Sequence, residues 1–235
     1  MASIYLIRHG QASFGSDNYD ELSELGRHQA TLTGEYLDRV GIHFDSAYCG
    51  TLKRQRDTGS LALASQPNAV DLKGDARLDE VRNDEHLEYL LPKVIAERPE
   101  IGEIVEQGLN SSKRFQKVIE AVFNYWVSPE CDDPNIQSWE EYSSGVHSML
   151  RDIITNEGGG KNVAVFTSGG TIATFVAAVV GVPGSQTYQF YEPVFNCSIT
   201  QLFYSSSRVS LSYFNDCSFL RQLSVERDEK LVTYR

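Results

Sequence analysis

Ile4-Tyr5-Leu6-Ile7-Arg8-His9-Gly10 is an apolar run that ends abruptly in an arginine, a histidine and a glycine. The run reads as a buried strand over 3–8 that delivers a cation and an imidazole to its tip. Ligands of open α/β sheets bind outside the carboxyl ends of strands, so this tip is set up to meet an anion. Gly10 is expected to let the backbone turn tightly just past the pair. The plainer reading is a strand that happens to end in polar residues, and the rest of the chain decides between the two.

Working outward, 23–40 is a helical pattern with Leu25, Gln29, Leu32 and Tyr36 near helical spacing and Gly41 as its stop. A short strand over 46–50 runs into a helix over 51–65, which Pro67 and Asn68 break, and 69–72 is a further short strand. From 84 to 157 the pattern is helical but interrupted by Pro92, Pro99, Pro129 and Pro134. A second buried strand, Asn162-Val163-Ala164-Val165-Phe166-Thr167-Ser168, turns through Gly169-Gly170 directly into a helical pattern. Residues 196–204 and 208–215 alternate as a late strand pair around Ser205-Ser206-Ser207. Strands alternating with helices predict an α/β three-layer sandwich, its mixed sheet mostly parallel, with helices on both faces. The expected organisation is one domain over 1–235 with a helical insertion at 84–157 over the active-site end. No internal repeat or low-complexity linker interrupts it.

Composition narrows the function classes. The net charge of −11 argues against nonspecific binding to nucleic acid or to an anionic membrane. An acidic chain that binds an anion must concentrate positive charge locally, and Arg8 and Lys53-Arg54-Gln55-Arg56 are the candidate foci; otherwise the latter is a solvated helix face. Cys49, Cys131, Cys197 and Cys217 form no C-x-x-C pair and suggest no zinc site. Arg8 interrupts the N-terminal apolar run too early for a secretory signal, and the apolar stretch 172–182 is too short to span a bilayer. The expectation is a soluble cytoplasmic protein with reduced thiols.

Three joints then converge on one sheet edge: Arg8-His9 after the first strand, Leu52-Lys53-Arg54 opening a helix, and Ser168-Gly169-Gly170 between strand and helix. A helix N-terminus after two glycines favours an anion through its free N–H groups and its dipole. Two guanidiniums add bidentate recognition suited to phosphate. A histidine between them attacks phosphorus if its attacking nitrogen is unprotonated.

These blocks resemble the histidine phosphatase superfamily, in its phosphoglycerate-mutase-like branch. The resemblance rests on Leu6-Ile7-Arg8-His9-Gly10, on Asp20-Glu21-Leu22-Ser23-Glu24-Leu25-Gly26-Arg27-His28-Gln29-Ala30, on Thr51-Leu52-Lys53-Arg54-Gln55-Arg56-Asp57-Thr58, weakly on Leu78-Asp79-Glu80, and on Val165-Phe166-Thr167-Ser168-Gly169-Gly170-Thr171-Ile172. The blocks occur in order over most of the chain, and 84–157 matches only as a variable helical insertion. The resemblance implies a phosphomonoester hydrolase that works through a phosphohistidine on His9. Arg8 and Arg54 would hold the equatorial oxygens, and Glu80 would protonate the leaving alcohol and then help activate water. Guanidiniums supply the positive charge, so neither metal nor other cofactor is implied.

The chain departs from the family pattern in three places. Ser168 stands where the family places a second histidine; serine donates a hydrogen bond but brings no charge. A charge-assisted bond contributes roughly 1.5–3 kcal/mol and a neutral one about 1. The swap alone costs roughly tenfold or less in rate, rising to about 10²–10³ if that histidine were the dominant donor. His28, His43, His86 and His147 offer no obvious substitute, although His86 is placed to reach over the pocket. After Glu80 the text runs Val81-Arg82-Asn83-Asp84-Glu85, which leaves Asp84 and Glu85 as alternative acids. At Gln11-Ala12-Ser13-Phe14-Gly15, Ser13 is a partial replacement for ligand-contacting residues of the mutases.

The alternatives to a hydrolase are a catalytically weak or inactive protein that binds phosphorylated ligands through Arg8, Arg54, Ser168 and Gly169, and a phosphoglycerate-mutase-type phosphotransferase. The expected partner is a phosphorylated small molecule or phosphate. Substrate choice is assigned to 84–157, where Tyr89, Phe115, Tyr125 and Trp126 are candidate lining residues and Arg82 and Arg114 candidate contacts for a second anionic group. The late strand pair offers an exposed edge for a homo-oligomer; the tail Leu231-Val232-Thr233-Tyr234-Arg235 either covers that edge or is mobile.

Overall fold

The computed structural model describes residues 2–13, 20–109 and 111–234. Phe14, Gly15 and Arg235, which figure in the sequence reading, lie outside the described residues. The apolar opening run forms strand β1 (Ala2–Arg8), buried along nearly its whole length. It lies inside a six-stranded sheet of order β3-β2-β4-β1-β5-β6, with β2 Ser46–Cys49, β3 Leu72–Gly74, β4 Asn162–Thr167, β5 Ile199–Tyr204 and β6 Val209–Asp216. β1, β2, β3 and β4 pair in parallel, with Leu6 opposite Val165 and Arg8 opposite Thr167. β5 joins β1 antiparallel and β6 follows it antiparallel, so the late pair forms one edge of a mixed sheet, as the alternation predicts.

Successive side chains of a strand point to opposite faces, and this divides the apolar residues into two cores. Ile4, Leu6, Val163, Val165 and Leu202 face α7 (Trp139–Glu157) and α8 (Gly169–Val180). Tyr5, Ile7, Ala47, Ala164 and Phe166 face α1 (Glu24–Arg39), α2 (Lys53–Leu63) and α10 (Ser218–Arg227). The result is the expected three-layer sandwich. Burial of each large aliphatic side chain on these faces stabilises by at most about 1.5–3 kcal/mol.

Local chemistry sets the helix ends. Ser23 caps α1 by accepting the Gly26 N–H, and Gly41, at φ 74°, follows its last turn. α7 opens with a capping box between Ser138 and Glu141. The stretch 84–157 folds into α3 (Asn83–Tyr89), α4 (Leu91–Glu97), α5 (Pro99–Glu106), α6 (Ser112–Val127) and α7. Pro92 and Pro99 sit in the first turns of α4 and α5, where a missing N–H costs nothing, so they start helices as well as divide them. Leu90, Val94, Ile101, Val118 and Ile119 from this stretch join the core beneath α7 and α8.

Three expectations shift. The strand read at 69–72 lies at Leu72–Gly74. The helices α9 (Tyr188–Tyr191) and α10 were not read from the sequence. Gly10 is not in the positive-φ region. Its lack of a side chain instead permits close contact, since a Cβ there would lie 2.3 Å from the Gly26 carbonyl oxygen. No helix among the described residues is long and apolar enough to cross a membrane.

Candidate active site

The carboxyl end of β1 and the start of α2 open onto a cavity of about 640 Å³. Arg8, His9, Arg54 and Glu80 all line it, together with Leu52, residues 81–85 and groups from α6, α9 and the C-terminal tail. His9 is held by its backbone: its N–H donates to Thr167 O at 2.9 Å, and its carbonyl accepts from Asn196 Nδ2 at 3.1 Å. The next residue ties the strand tip to α2. Gly10 N–H donates to Thr58 Oγ1 at 3.0 Å, and that hydroxyl donates to Arg54 O at 2.7 Å. One hydroxyl therefore sets the spacing between the residue after His9 and the helix carrying Arg54.

The imidazole is only 3% exposed. Nδ1 lies 2.7 Å from Gly10 O, a partner that can only accept, so Nδ1 carries the proton. Nε2 is then left with its lone pair, which accepts the Arg54 Nε–H at 3.3 Å. Burial, then the positive charges of Arg54 and Arg8, hold the His9 pKa well below 6.5; the Gly10 bond opposes them weakly. The histidine is neutral, with its basic nitrogen turned toward a guanidinium.

Each guanidinium has its own anchor. Asp20 Oδ1 accepts from Arg54 Nη1 at 2.8 Å, and Asp20 Oδ2 accepts the Lys53 backbone N–H at 2.8 Å. Leu52, the residue before α2, has no side-chain acceptor to offer, so Asp20 caps this helix from outside it. Arg8 Nη1 donates to the carbonyls of Val194 and of Tyr234, the latter at 3.0 Å. Its Nε is buried with no hydrogen-bond partner among the described residues. That donor lies 3.8 Å from where a Cβ on Gly169 would stand, at the start of α8.

Glu80 comes from the segment between β3 and α3. Its Oε1 accepts the N–H groups of Val81 and Gly170, each at 3.0 Å, so the carboxyl group also caps α8. Burial pushes its pKa above 4.5, and Arg54 and Arg8 pull in the opposite direction. The segment is pinned on both sides: Asp79 accepts Thr51 Oγ1 at 2.6 Å, and Asp79 O accepts Thr171 Oγ1 at 2.7 Å. Asp84 and Glu85 also line the cavity, Glu85 paired with Arg82 at 3.3 Å.

The other expected residues are distributed differently. Ser168 is fully buried, and its Oγ accepts from Gln55 Nε2 at 2.8 Å; neither it nor Gly169 is among the cavity-lining residues. Ser13, whose backbone N–H bonds Glu21 O, does not line the cavity either. His86 does not reach over the pocket. It is buried against Trp126, ring centres 4.3 Å apart, and burial pushes its pKa down to about 4. Among the described residues, His9 is the only histidine in the lining. Phe115 and Arg82 line the cavity, whereas Tyr89, Tyr125, Trp126 and Arg114 do not.

Sequence reasoning missed Asp20 as an anchor, and it missed Tyr188, Tyr191 and Tyr234 as walls. The i, i+3 spacing of Tyr188 and Tyr191 was a usable sign of one aromatic helix face. Nothing local marks Tyr234, whose tail is held by Gln29 and Asn196 through Leu231 and Thr233. No cluster of three or more His, Cys, Asp or Glu side chains among the described residues is arranged to hold a metal ion.

A family model described as histidine phosphatase superfamily (branch 1) matches residues 4–217. A 2,3-bisphosphoglycerate-dependent phosphoglycerate mutase of Streptococcus sanguinis (strain SK36) is 36% identical over 87 residues, which cover 34% of this chain and 38% of the relative. The match thus spans well under half of that relative's length. Among solved structures, phosphoglycerate mutase from Bacillus anthracis superposes with a TM-score of 0.64 at 21% identity, covering 93% of this chain and 94% of that one. Phosphoserine phosphatase from Entamoeba histolytica, in complex with 3-phosphoglyceric acid, gives 0.63 at 18% identity, covering 94% and 100%. At these identities the structural likeness establishes the fold alone.

Proposed function

The chain belongs to the histidine phosphatase superfamily, branch 1, and we propose that it hydrolyses phosphomonoesters through a phosphohistidine on His9. The observation that carries this reading is the Arg54 Nε–H pointing at the lone pair of a neutral His9 Nε2, in a cavity shared with Arg8 and a half-buried Glu80. Phosphate entering between the guanidiniums takes over the Arg54 donor and frees Nε2 to attack. The unpartnered Arg8 Nε supplies a second donor as charge builds on the equatorial oxygens.

In the first step Nε2 bonds to phosphorus, the ester P–O bond breaks, and the leaving alkoxide takes the proton of Glu80. Its raised pKa suits this role, and Glu80, alone among the described candidate acids, is fixed by two backbone donors. In the second step water attacks phosphorus and gives its proton to the Glu80 carboxylate. The P–N bond breaks, its electron pair returns to Nε2, and inorganic phosphate leaves. The expected setting is soluble and cytoplasmic, with a phosphorylated small molecule as substrate.

Incubation with p-nitrophenyl phosphate followed by rapid quenching tests the reading. Wild type releases phosphate and traps an acid-labile, base-stable phosphoenzyme, whereas His9→Ala does neither. Turnover that survives in His9→Ala overturns it.

One observation favours a second reading, a phospho-ligand-binding protein with little turnover. Ser168 stands at the position of the family's second histidine with its hydroxyl bonded to Gln55, so no second imidazole faces the ligand. Thermal stabilisation by phosphate or vanadate without any phosphate release selects this reading; a saturating ligand at about 100 times Kd adds about 2.7 kcal/mol.

A further inference from the structure

The cavity extends well beyond a phosphoryl group. Away from His9 its walls are Leu52, Leu87, Phe115 and Ile119, with the rings of Tyr188 and Tyr234. The tyrosine hydroxyls are already engaged: Tyr188 donates to Gln116 O at 3.2 Å, and the Tyr234 hydroxyl meets the Gln116 amide. Tyr191 accepts from Asn83 Nδ2 at 2.8 Å. The tyrosines therefore offer ring faces more than polar tips. A wall of this composition favours an apolar or aromatic body.

Charge makes the second half of the argument. Apart from Arg8 and Arg54 at the phosphoryl end, Arg82 is the only cation among the described lining residues, and it is exposed and paired with Glu85. Asp84, Glu85 and Glu192 line the same space. Among the described residues, a ligand carrying a carboxylate or a second phosphate beyond the first would face more negative than positive charge there. A neutral apolar body meets no such cost.

We propose that the substrate class of this site is the monophosphate ester of a bulky apolar or arylalkyl alcohol with no second anionic group. The proposal rests on the hydrolase reading for turnover, but its selectivity is equally a statement about binding.

The test compares 2-phenylethyl phosphate, glycerol 1-phosphate and 3-phosphoglycerate. All three are alkyl esters, so leaving-group activation does not dominate the comparison as it would with an aryl phosphate. The expected kcat/KM for 2-phenylethyl phosphate exceeds that for glycerol phosphate by about tenfold or more, with 3-phosphoglycerate slowest. Phe115→Ala is expected to bring the first ratio toward one. Equal rates for the three esters, or a preference for 3-phosphoglycerate, overturn the inference. If no ester is hydrolysed, calorimetric binding of the same three to the His9→Ala protein separates the two claims. Tightest binding of 2-phenylethyl phosphate upholds the substrate class while the hydrolase reading falls. Equal affinities, tightest binding of 3-phosphoglycerate, or no binding of any ester overturn the inference.

Discussion

Arg54 Nε stands 3.3 Å from His9 Nε2, so a permanent cation guards the nitrogen that must stay unprotonated. A proton on Nε2 would set two positive groups against each other in a buried space. Burial and both arginines therefore keep the folded-state pKa well below the ordinary 6.5. The predicted outcome is that the 15N shifts of His9 keep the neutral Nδ1–H pattern as the pH falls through 6.5. The same depression has a thermodynamic sign. Below 6.5 the unfolded chain binds a proton at His9 that the folded chain does not, so this group's contribution to stability is lost as pH falls. Titration of His9 near 6.5 would contradict the arrangement.

Glu80 shifts the other way, its pKa raised above 4.5 chiefly by burial. Its protonated form persists to higher pH than an exposed carboxyl's and is lost as pH rises through the raised value. Hydrolysis of alkyl phosphates should therefore fall on the alkaline side along this single ionisation. Glu80→Gln removes the proton but keeps an oxygen to accept the Gly170 N–H. It is expected to lower kcat/KM for alkyl phosphates, which reports phosphoenzyme formation, by about 10²–10⁴ and to lower that for p-nitrophenyl phosphate much less, because that leaving group needs no acid. Equal losses on both substrates would remove Glu80 from the acid role.

Asp20 joins two functions in one carboxylate, capping α2 and orienting Arg54. Asp20→Ala is expected to cost about 1 kcal/mol, seen as a fall of about 2–4 °C in Tm. Asp20→Asn keeps an oxygen acceptor for the helix but loses the charge pair. It should melt closer to wild type while kcat/KM still falls several-fold. If Asn restores both stability and rate, the charge pair does not position Arg54.

The Gly10–Gly26 contact is backbone against backbone, with no rotamer to relieve a clash. Gly10→Ala forces β1's tip away from α1, at a cost of about 1–3 kcal/mol, or about 2–12 °C in Tm. Gly74→Ala is the control, since a Cβ there meets nothing within 4 Å. Similar melting of the two variants would refute the packing argument.

Ser168→His introduces a ring at a fully buried point where the hydroxyl now holds Gln55. The larger side chain should cost about 1–3 kcal/mol of stability by overpacking. Phosphate release per folded molecule should be unchanged or raised. A sharp loss of turnover in a folded variant would mean that the pocket is built around serine.

The residues that meet at the cavity were legible where chemistry is written into a strand end or helix start. Arg8 and His9 follow an apolar run, Arg54 opens a helix after a short strand, and Leu78-Asp79-Glu80 offers the cavity-lining Glu80 as one of three candidate acids. What stayed hidden depends on approach between distant segments. Gln55 turns Ser168 inward, and Gly170 N–H binds Glu80; neither partner is implied by local spacing. α10 escaped because its buried residues, Phe219, Leu220 and Leu223, acquire meaning only against α1, where Phe219 stacks on Tyr36 at 4.3 Å. The tail reads either as cover for a strand edge or as a mobile end, yet Tyr234 reaches the cavity and Arg8. So short a segment carries no sign of its destination.

β1 begins the chain, yet the strands on either side of it are β4 and β5, which come late. Leu6 waits for Val165 on one side and Thr200 on the other. During synthesis a nascent chain released only as far as the helical insertion has neither neighbour to fix the ribbon bearing His9. Such long-range pairing closes slowly, because large loops must be ordered before any contact repays them. Competence for phosphoryl chemistry should thus arise in one late step, and its appearance would clock the moment the central ladder locks.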